Sequence, residues 1–396
     1  MNFKKVMAAV LAGTMVFGMA SSVSAATEVS FWTLNTRQNA VEPIVEAFNE
    51  ANPDIKVTAS FYDTDGITDA CKVAASSDTL PSMWFNWGGS LGSFYEENGK
   101  TYDLTQYAKD NGWSDEFTEA ALNLCTFDNK LSGYPTSYNA LGVYYNKQIF
   151  EDNGIEVPTT FEDFEAALKT LKDNGVTPMD TAGLNGWHVM RWYDLPVEHD
   201  AGAELHDKLN TFEESWDCEA VVQAFTKYKE WVDAGYFPDG FLTLDPNDTI
   251  MAMGTGECAM DLQGQWYDGT MIQNDLDPND YGVFAFPSGD SNRMSAFAEM
   301  TQFNKNLSDE ELDACVKFMD YYYSDDSVDQ YGEYYNLPLP KQGKKAPADQ
   351  VNVDGMLETS NTNGTFTITD QAFPTEVADV LFNAQDAVAN DEMTPE

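Results

Sequence analysis

Residues 133–175, GYPTSYNALGVYYNKQIFEDNGIEVPTTFEDFEAALKTLKDNG, admit few folds. Leu141, Val143 and Tyr145 alternate with Gly142, Tyr144 and Asn146, so residues 140–146 read as a β-strand. Residues 147–154 read as a short helix closed by Gly154 in a left-handed conformation. A second helix follows Pro158, with Thr160 as its N-cap and Asp163 in the reciprocal position. Phe161, Phe164, Leu168 and Leu171 share one face of it, and Gly175 ends it. A strand feeding a capped amphipathic helix places the chain among α/β folds.

Upstream the same grammar recurs. Residues 29–33 (VSFWT) read as a first strand, and a polar stretch follows, Asn35-Thr36-Arg37-Gln38-Asn39. A helix then carries Val41, Ile44, Val45 and Phe48 on one face and stops before Pro53. Residues 54–62 form the next strand, with Ile55, Val57 and Ala59 alternating. In open parallel sheets ligands lie beyond the carboxyl ends of the strands, which puts Trp32 and the polar stretch at a cleft edge. Trp84 and Trp87 sit three apart on a further strand, so they cannot share a face. Trp87, nearer the Gly88-Gly89 turn, is assigned with Asn86 to the cleft, and Trp84 to the core.

Spelled out, Tyr145-Asn146-Lys147, Phe150, Gly154-Ile155, Pro158, Thr160-Phe161 and Asp163-Phe164 closely resemble the YNK-x-x-(F/L)-x-x-x-G-(I/L)-x-x-P-x-T-(W/F)-x-(E/D)-(L/F) signature of extracellular solute-binding proteins of carbohydrate ABC importers, of the maltose and multiple-sugar type (family 1). Further stretches are similar to the same family. They are FNEANPDIKV at 48–57, Ala259-Met260 with Gly264 and Trp266 after Gly256, and Tyr281-Gly282-Val283 with Pro287. Residues 332–340 resemble the segment before the second return to lobe two, and Ser82 replaces the aspartate of an L-P-D motif.

The resemblance implies a two-lobed periplasmic-binding-protein-like α/β fold of type II, each lobe a β-sheet flanked by helices, with the ligand cleft at the hinge. It implies lobe one from 26–136 and 298–340, and lobe two from 137–297 and 341–396. Residues 133–138 and 295–303 are then the crossings, bringing Tyr138, Asn139 and Glu299 to the cleft. Trp266 falls on the family's sugar-stacking tryptophan, with Gln265 beside it. Trp187, in the glycine-rich run 183–193, is preferred over Trp192, and Arg191 accompanies it. The ligand-binding candidates are therefore Trp32, Asn35, Arg37, Asp65, Asn86, Trp87, Tyr138, Asn139, Trp187, Arg191, Gln265, Trp266 and Glu299.

Residues 1–25 read as an export signal: Lys4 and Lys5, an apolar run over 6–19, then Val23-Ser24-Ala25 as a cleavage pattern. No cysteine follows the apolar run, so lipid attachment is not indicated, unlike many Gram-positive members. The expected location is extracellular, at the cell surface or in a periplasm. The closing Thr394-Pro395-Glu396 reads as the start of a helix, which suggests a truncated terminus.

Acidic residues number 66 against 21 basic ones, for a net charge of −45. Such a surface repels nucleic-acid phosphates and anionic headgroups, and it disfavours a strongly anionic ligand unless a local arginine overrides the field. The five cysteines, Cys71, Cys125, Cys218, Cys258 and Cys315, show no C-x-x-C pair and read as buried hydrophobes, with at least one free thiol. The histidines His188, His199 and His206 lack ligand spacing and read as surface or cleft residues. Asp275-x-Asp277-x-Asn279 fails the EF-hand pattern and reads as a solvated turn. No metal or cofactor is expected.

The function expected is capture of a neutral oligosaccharide by a monomer that closes about its hinge and delivers it to an ABC transporter permease, without catalysis. Two other classes compete. An exported glycoside hydrolase needs two carboxylates across the sugar, and no hydrolase motif is present. A binder of a non-carbohydrate small solute could use the same scaffold.

Overall fold

The computed structural model describes residues 26–117, 119–289, 292–331 and 348–396. The export-signal reading at 1–25 and the family-like segment at 332–340 lie outside the described residues.

Eleven strands occur among the described residues. In chain order they are β1 (Thr27–Leu34), β2 (Ile55–Tyr62), β3 (Met83–Trp87), β4 (Thr126–Phe127), β5 (Lys130–Leu131), β6 (Gly133–Asn146), β7 (Thr177–Asp180), β8 (Cys258–Gly264), β9 (Tyr281–Phe284), β10 (Met294–Phe303) and β11 (Thr365–Thr367). β4 and β5 form a small hairpin. The other nine join one sheet in the order β2-β1-β3-β10-β6-β8-β7, with β11 on β10 and β9 on β6.

The long strands β6 and β10 explain how one sheet serves two lobes. The Glu299–Phe303 part of β10 pairs β3 and the start of β6, whereas Ala296 to Ala298 pair Tyr138 to Ala140, and Met294 to Ala296 pair β11. The register shifts between Glu299 and Met300, opposite Pro135, a residue that cannot donate to a ladder. Beyond that point β6 exchanges partners, and Leu141 to Tyr145 pair with β8. Residues 140–146 are therefore the second half of a 14-residue strand.

Two apolar cores flank this crossing. One gathers Val29, Phe31, Ile44, Phe48, Tyr134, Met300, Phe318 and Met319. The other gathers Leu141, Val143, Phe164, Leu168, Trp192, Tyr228, Trp231, Leu262 and Phe297. The amphipathic readings hold within them: Val41, Ile44 and Phe48 are buried in helix Gln38–Ala51, and Phe164, Leu168 and Leu171 in helix Phe161–Asp173. Thr160 caps its helix by accepting from the Asp163 amide, and Ser308 with Glu311 forms a complete capping box.

Some expectations change. The polar stretch after β1 is a 3-10 turn, Asn35–Arg37, running straight into the helix. Trp187 is the first residue of helix Trp187–Asn210, behind Gly186 at φ +77°, and not a loop residue. His188 and His206 are fully buried, because Asp261 and Glu198 give each imidazole a polar partner, and only His199 is partly exposed. All five cysteines are free thiols, four of them buried. At 277–279 Asp277 caps its own turn by accepting from the Asn279 amide.

Candidate functional site

Between the two cores lies a chamber of about 170 Å³. Leu34, Thr36, Arg37, Thr64 and Trp87 line it from the first lobe. Trp187, Arg191, Asn247, Gln263, Trp266, Tyr267, Thr270 and Phe297 line it from the second, and Glu299 closes it at the crossing. A second chamber of similar size, also about 170 Å³, shares Thr64, Trp87, Trp187, Arg191 and Phe297 with the first. It adds Asp65, Leu91, Asp370, Gln371, Asp379 and Phe382. An outer groove carries Asn35, Asp63, Asp65, Asn185, Asp245 and Asn247.

The lobes touch across this space. The Asn185 side-chain amide donates to Asp65 Oδ2 at 2.6 Å, and the Thr64 hydroxyl lies 3.4 Å from Asn247 Oδ1. Behind the second chamber the Ser90 hydroxyl donates to the Asp370 carbonyl. Gly89, at φ +61°, lies so close to the Gln371 carbonyl that a Cβ would come within 2.2 Å of it. These contacts describe a closed arrangement.

Three aromatic planes define the walls. Trp266 follows β8 and folds back over Gly264, where a Cβ would meet the indole at 2.0 Å. Its ring centroid lies 5.4 Å from that of Phe297. Trp87 ends β3 and packs edge-on against Phe85 at 4.8 Å. The Arg191 guanidinium lies 4.5 Å from the Trp187 ring centre and 5.4 Å from that of Trp266.

Two charged groups anchor the floor. Arg37 Nη2 donates to Glu299 Oε2 at 2.6 Å, and the Ser137 hydroxyl donates to the same oxygen. The guanidinium also covers the Phe85 ring at 4.6 Å. Burial pulls the Arg37 pKa down, but Glu299 and the neighbouring tyrosines outweigh it, so the net shift is upward. Arg191 is lowered to about 10 by burial, against the pull of Asp370 and Asp261. Burial also pushes the Asp370 carboxyl up to about 7, against Arg191.

Beneath the second-lobe wall runs a polar network. Arg191 Nη1 donates to Gln263 Oε1 at 3.3 Å, and Gln263 Nε2 donates to Asp261 Oδ2 at 3.0 Å. Tyr267 donates to the same carboxylate oxygen. In the sheet register Asp180 pairs with Asp261. Burial, then the charge of Asp261, pushes the Asp180 carboxyl far above the usual range, so it holds a proton at neutral pH.

Of the candidate residues, Arg37, Trp87, Trp187, Arg191, Trp266 and Glu299 line the main chamber, Asp65 the second chamber and the outer groove, and Asn35 the groove. The other five lie outside these linings. Trp32 packs on Tyr62, with centroids 5.1 Å apart, and Asn86 is held by Gln302 and the Leu91 carbonyl. Tyr138 pairs its hydroxyl with Thr365, Asn139 donates to Ser137, and Gln265 Oε1 accepts from the Ala140 amide. Asn86, Asn139 and Gln265 spend their side-chain amides on residues of the crossing strands β6 and β10, where backbone and side-chain groups need partners.

Sequence reasoning missed Thr64, Asn247, Gln263, Tyr267, Thr270, Phe297, Asp370 and Phe382. Strand alternation through Asp261, Gln263 and Gln265 marks Gln263 as a polar position two before Gln265. The C-terminal residues had no local signal.

The fold has counterparts in known proteins. The solved structure of a chitin oligosaccharide binding protein superposes with a TM-score of 0.83 at 23% identity, covering 94% of this chain and 96% of that one. An uncharacterised ABC transporter extracellular-binding protein of Pyrococcus horikoshii is 24% identical over 277 residues, or 65% of this chain. That match spans only 60% of the relative's own length. The multiple sugar-binding protein of Streptococcus mutans is 23% identical over 328 residues, covering 76% of this chain and 72% of the relative. The family model described as bacterial extracellular solute-binding protein matches residues 43–359, most of the chain. The chain belongs to the bacterial extracellular solute-binding protein family.

Proposed function

We propose that the protein captures an oligosaccharide outside the cytoplasm by closing its two lobes and delivers it, unaltered, to the permease of an ABC importer. The observation that carries this reading is the chamber walled by Trp87, Trp187 and Trp266, with Arg37, Gln263, Thr270 and Glu299 among them. A pyranose ring offers C–H faces to aromatic planes and hydroxyl edges to such polar groups. The relatives support it, since one is named a multiple sugar-binding protein and a structural neighbour binds chitin oligosaccharide.

On this reading residues 1–25 are the export signal, and the lobes are 26–136 with 298–340 and 137–297 with 341–396. Hinge closure about β6 and β10 presents a permease with a surface that exists only in the loaded state. The working unit is a monomer and no cofactor takes part.

The hydrolase reading is weaker on one specific ground. Glu299 is the sole carboxylate lining the main chamber among the described residues, and it is bound to Arg37 and Ser137, whereas glycoside hydrolysis needs two carboxyls facing each other across the sugar.

A thermal-shift screen of the chain without residues 1–25 against oligosaccharides, with chromatography of each hit, tests the proposal. A concentration-dependent rise in melting temperature with the sugar recovered intact supports capture. A shortened sugar overturns it in favour of hydrolysis, and no rise with any sugar overturns it in favour of a non-carbohydrate solute.

A further inference from the structure

The chain has three arginines, and two of them are ion-paired. Arg37 meets Glu299 at 2.6 Å, and Arg293 meets Glu198 at 2.8 Å and Asp207 at 3.0 Å. Arg191 is different. It is 7% exposed, yet among the described residues no carboxylate lies within 4.0 Å of it. Among the described residues its one side-chain hydrogen bond is the 3.3 Å contact to Gln263, and its Nε is buried without a partner there. In a chain with 66 acidic residues a carboxylate partner was readily available, so the vacancy is a property of the site.

A buried guanidinium with neither ion pair nor full hydrogen bonding is costly. The two indole faces of Trp187 and Trp266 offset part of that cost, but an aromatic quadrupole does not replace a counter-charge. The carboxyl whose charge bears most on Arg191 is that of Asp370, which burial raises to about 7, so a substantial share of it is neutral at pH 7. Glu299, across the main chamber, is already held by Arg37. Arg191 also stands in the second turn of helix Trp187–Asn210, whose positive N-terminal end adjoins the same chamber.

We infer that Arg191 is the receptor for one anionic group on the ligand, a sugar carboxylate or a sugar phosphate, so that the cleft selects an acidic oligosaccharide over its neutral counterpart. The inference rests on the sugar-capture reading and refines it. The overall charge of −45 favours neutral ligands at long range, but that field is screened over about 8 Å at physiological salt, and a fixed guanidinium inside the cleft acts at contact. A guanidinium also matches a carboxylate or phosphate in a forked pair, which an ammonium cannot do.

The test is calorimetric titration at pH 7 and 0.15 M salt with paired probes: digalacturonate against its methyl ester, glucuronosyl-xylobiose against xylotriose, and trehalose 6-phosphate against trehalose. Binding of an acidic member at least about tenfold tighter than its neutral partner, about 1.4 kcal/mol, is expected, and the pair that shows it separates carboxylate from phosphate. Arg191→Gln should abolish the preference without lowering the melting temperature of the ligand-free protein, and Arg191→Lys should retain only part of it. Equal affinity within every pair, or binding of neutral probes alone, overturns this inference and leaves sugar capture standing. Absence of binding by every probe and by every sugar of the thermal screen overturns both.

Discussion

Replacing Glu299 by glutamine tests the electrostatic floor of the cleft. The side chains of Arg37 and Glu299 are 8% and 9% exposed, with 2.6 Å between the bonded atoms. Taking the charge centres as about 4 Å apart, the attraction is roughly 4 kcal/mol at an effective dielectric near 20. Glutamine preserves the shape and an acceptor for Ser137 and Arg37, but leaves the cation without its counter-charge. The intrinsically high pKa of a guanidinium keeps Arg37 protonated at pH 7 even without Glu299, so it cannot relieve the loss by neutralising. The expected destabilisation is about 3 kcal/mol, at the low end for breaking a buried pair. Arg37→Met should cost a similar amount by stranding the carboxylate, while Arg37→Met with Glu299→Leu should recover most of the loss, because an apolar pair strands no charge. Urea unfolding followed by tryptophan fluorescence at pH 7 of wild type, Glu299→Leu, Arg37→Met and the double variant gives the four corners of this cycle, with Glu299→Gln measured alongside. Single variants within 1 kcal/mol of wild type, or a double variant equal to the sum of the singles, would refute the reasoning.

Three further outcomes follow from the geometry. Trp266→Ala should weaken binding of an identified sugar by about 1–3 kcal/mol, and Gly264→Ala should weaken it as well by displacing the rigid indole that a Cβ would meet at 2.0 Å; unchanged titrations of both would remove Trp266 from the site. Asp180 binds a proton in the folded state that the unfolded chain releases above its ordinary value of 3.8, so it makes stability fall as pH rises from there through about 9. Asp180→Asn should therefore gain melting temperature over wild type progressively between pH 5 and 9, and a constant gap would contradict the shift. Asn185→Ala removes the 2.6 Å bridge to Asp65 across the cleft mouth and should speed ligand release a few-fold, about 0.5–1 kcal/mol, in stopped-flow measurements; an unchanged rate would show that the bridge does not hold the lobes closed.

Much of the scaffold was legible in the sequence because the signals are local. The alternation of Leu141, Val143 and Tyr145, the helical face of Phe164, Leu168 and Leu171, and the caps at Thr160 and Ser308 depend on residues a few positions apart. The match of residues 145–164 to a family signature carried the two-lobed architecture further than periodicity could. Trp87 and Trp84 were separable by strand alternation together with the Gly88-Gly89 turn, and the structure buries Trp84 completely while Trp87 faces the chamber.

The site was less legible, since a polar residue near a cleft can point either way. Asn86, Asn139 and Gln265 occupy positions that the sequence assigned to the cleft, yet the crossing strands take their side chains for internal hydrogen bonds. Only packing decides that competition, because a buried unpaired backbone group costs more than an unused cleft hydrogen bond. Asp370 and Phe382 reach the second chamber from far along the chain, and no local pattern foretells such an approach. The sequence by itself determined the class of fold and most of the helices and strands, since these follow from near-neighbour periodicity and residue chemistry. The tertiary structure alone decided that Arg37 is paired and Arg191 is not, because an arginine's charge balance is set by which carboxylates the fold brings within a few ångströms, whatever their distance along the chain.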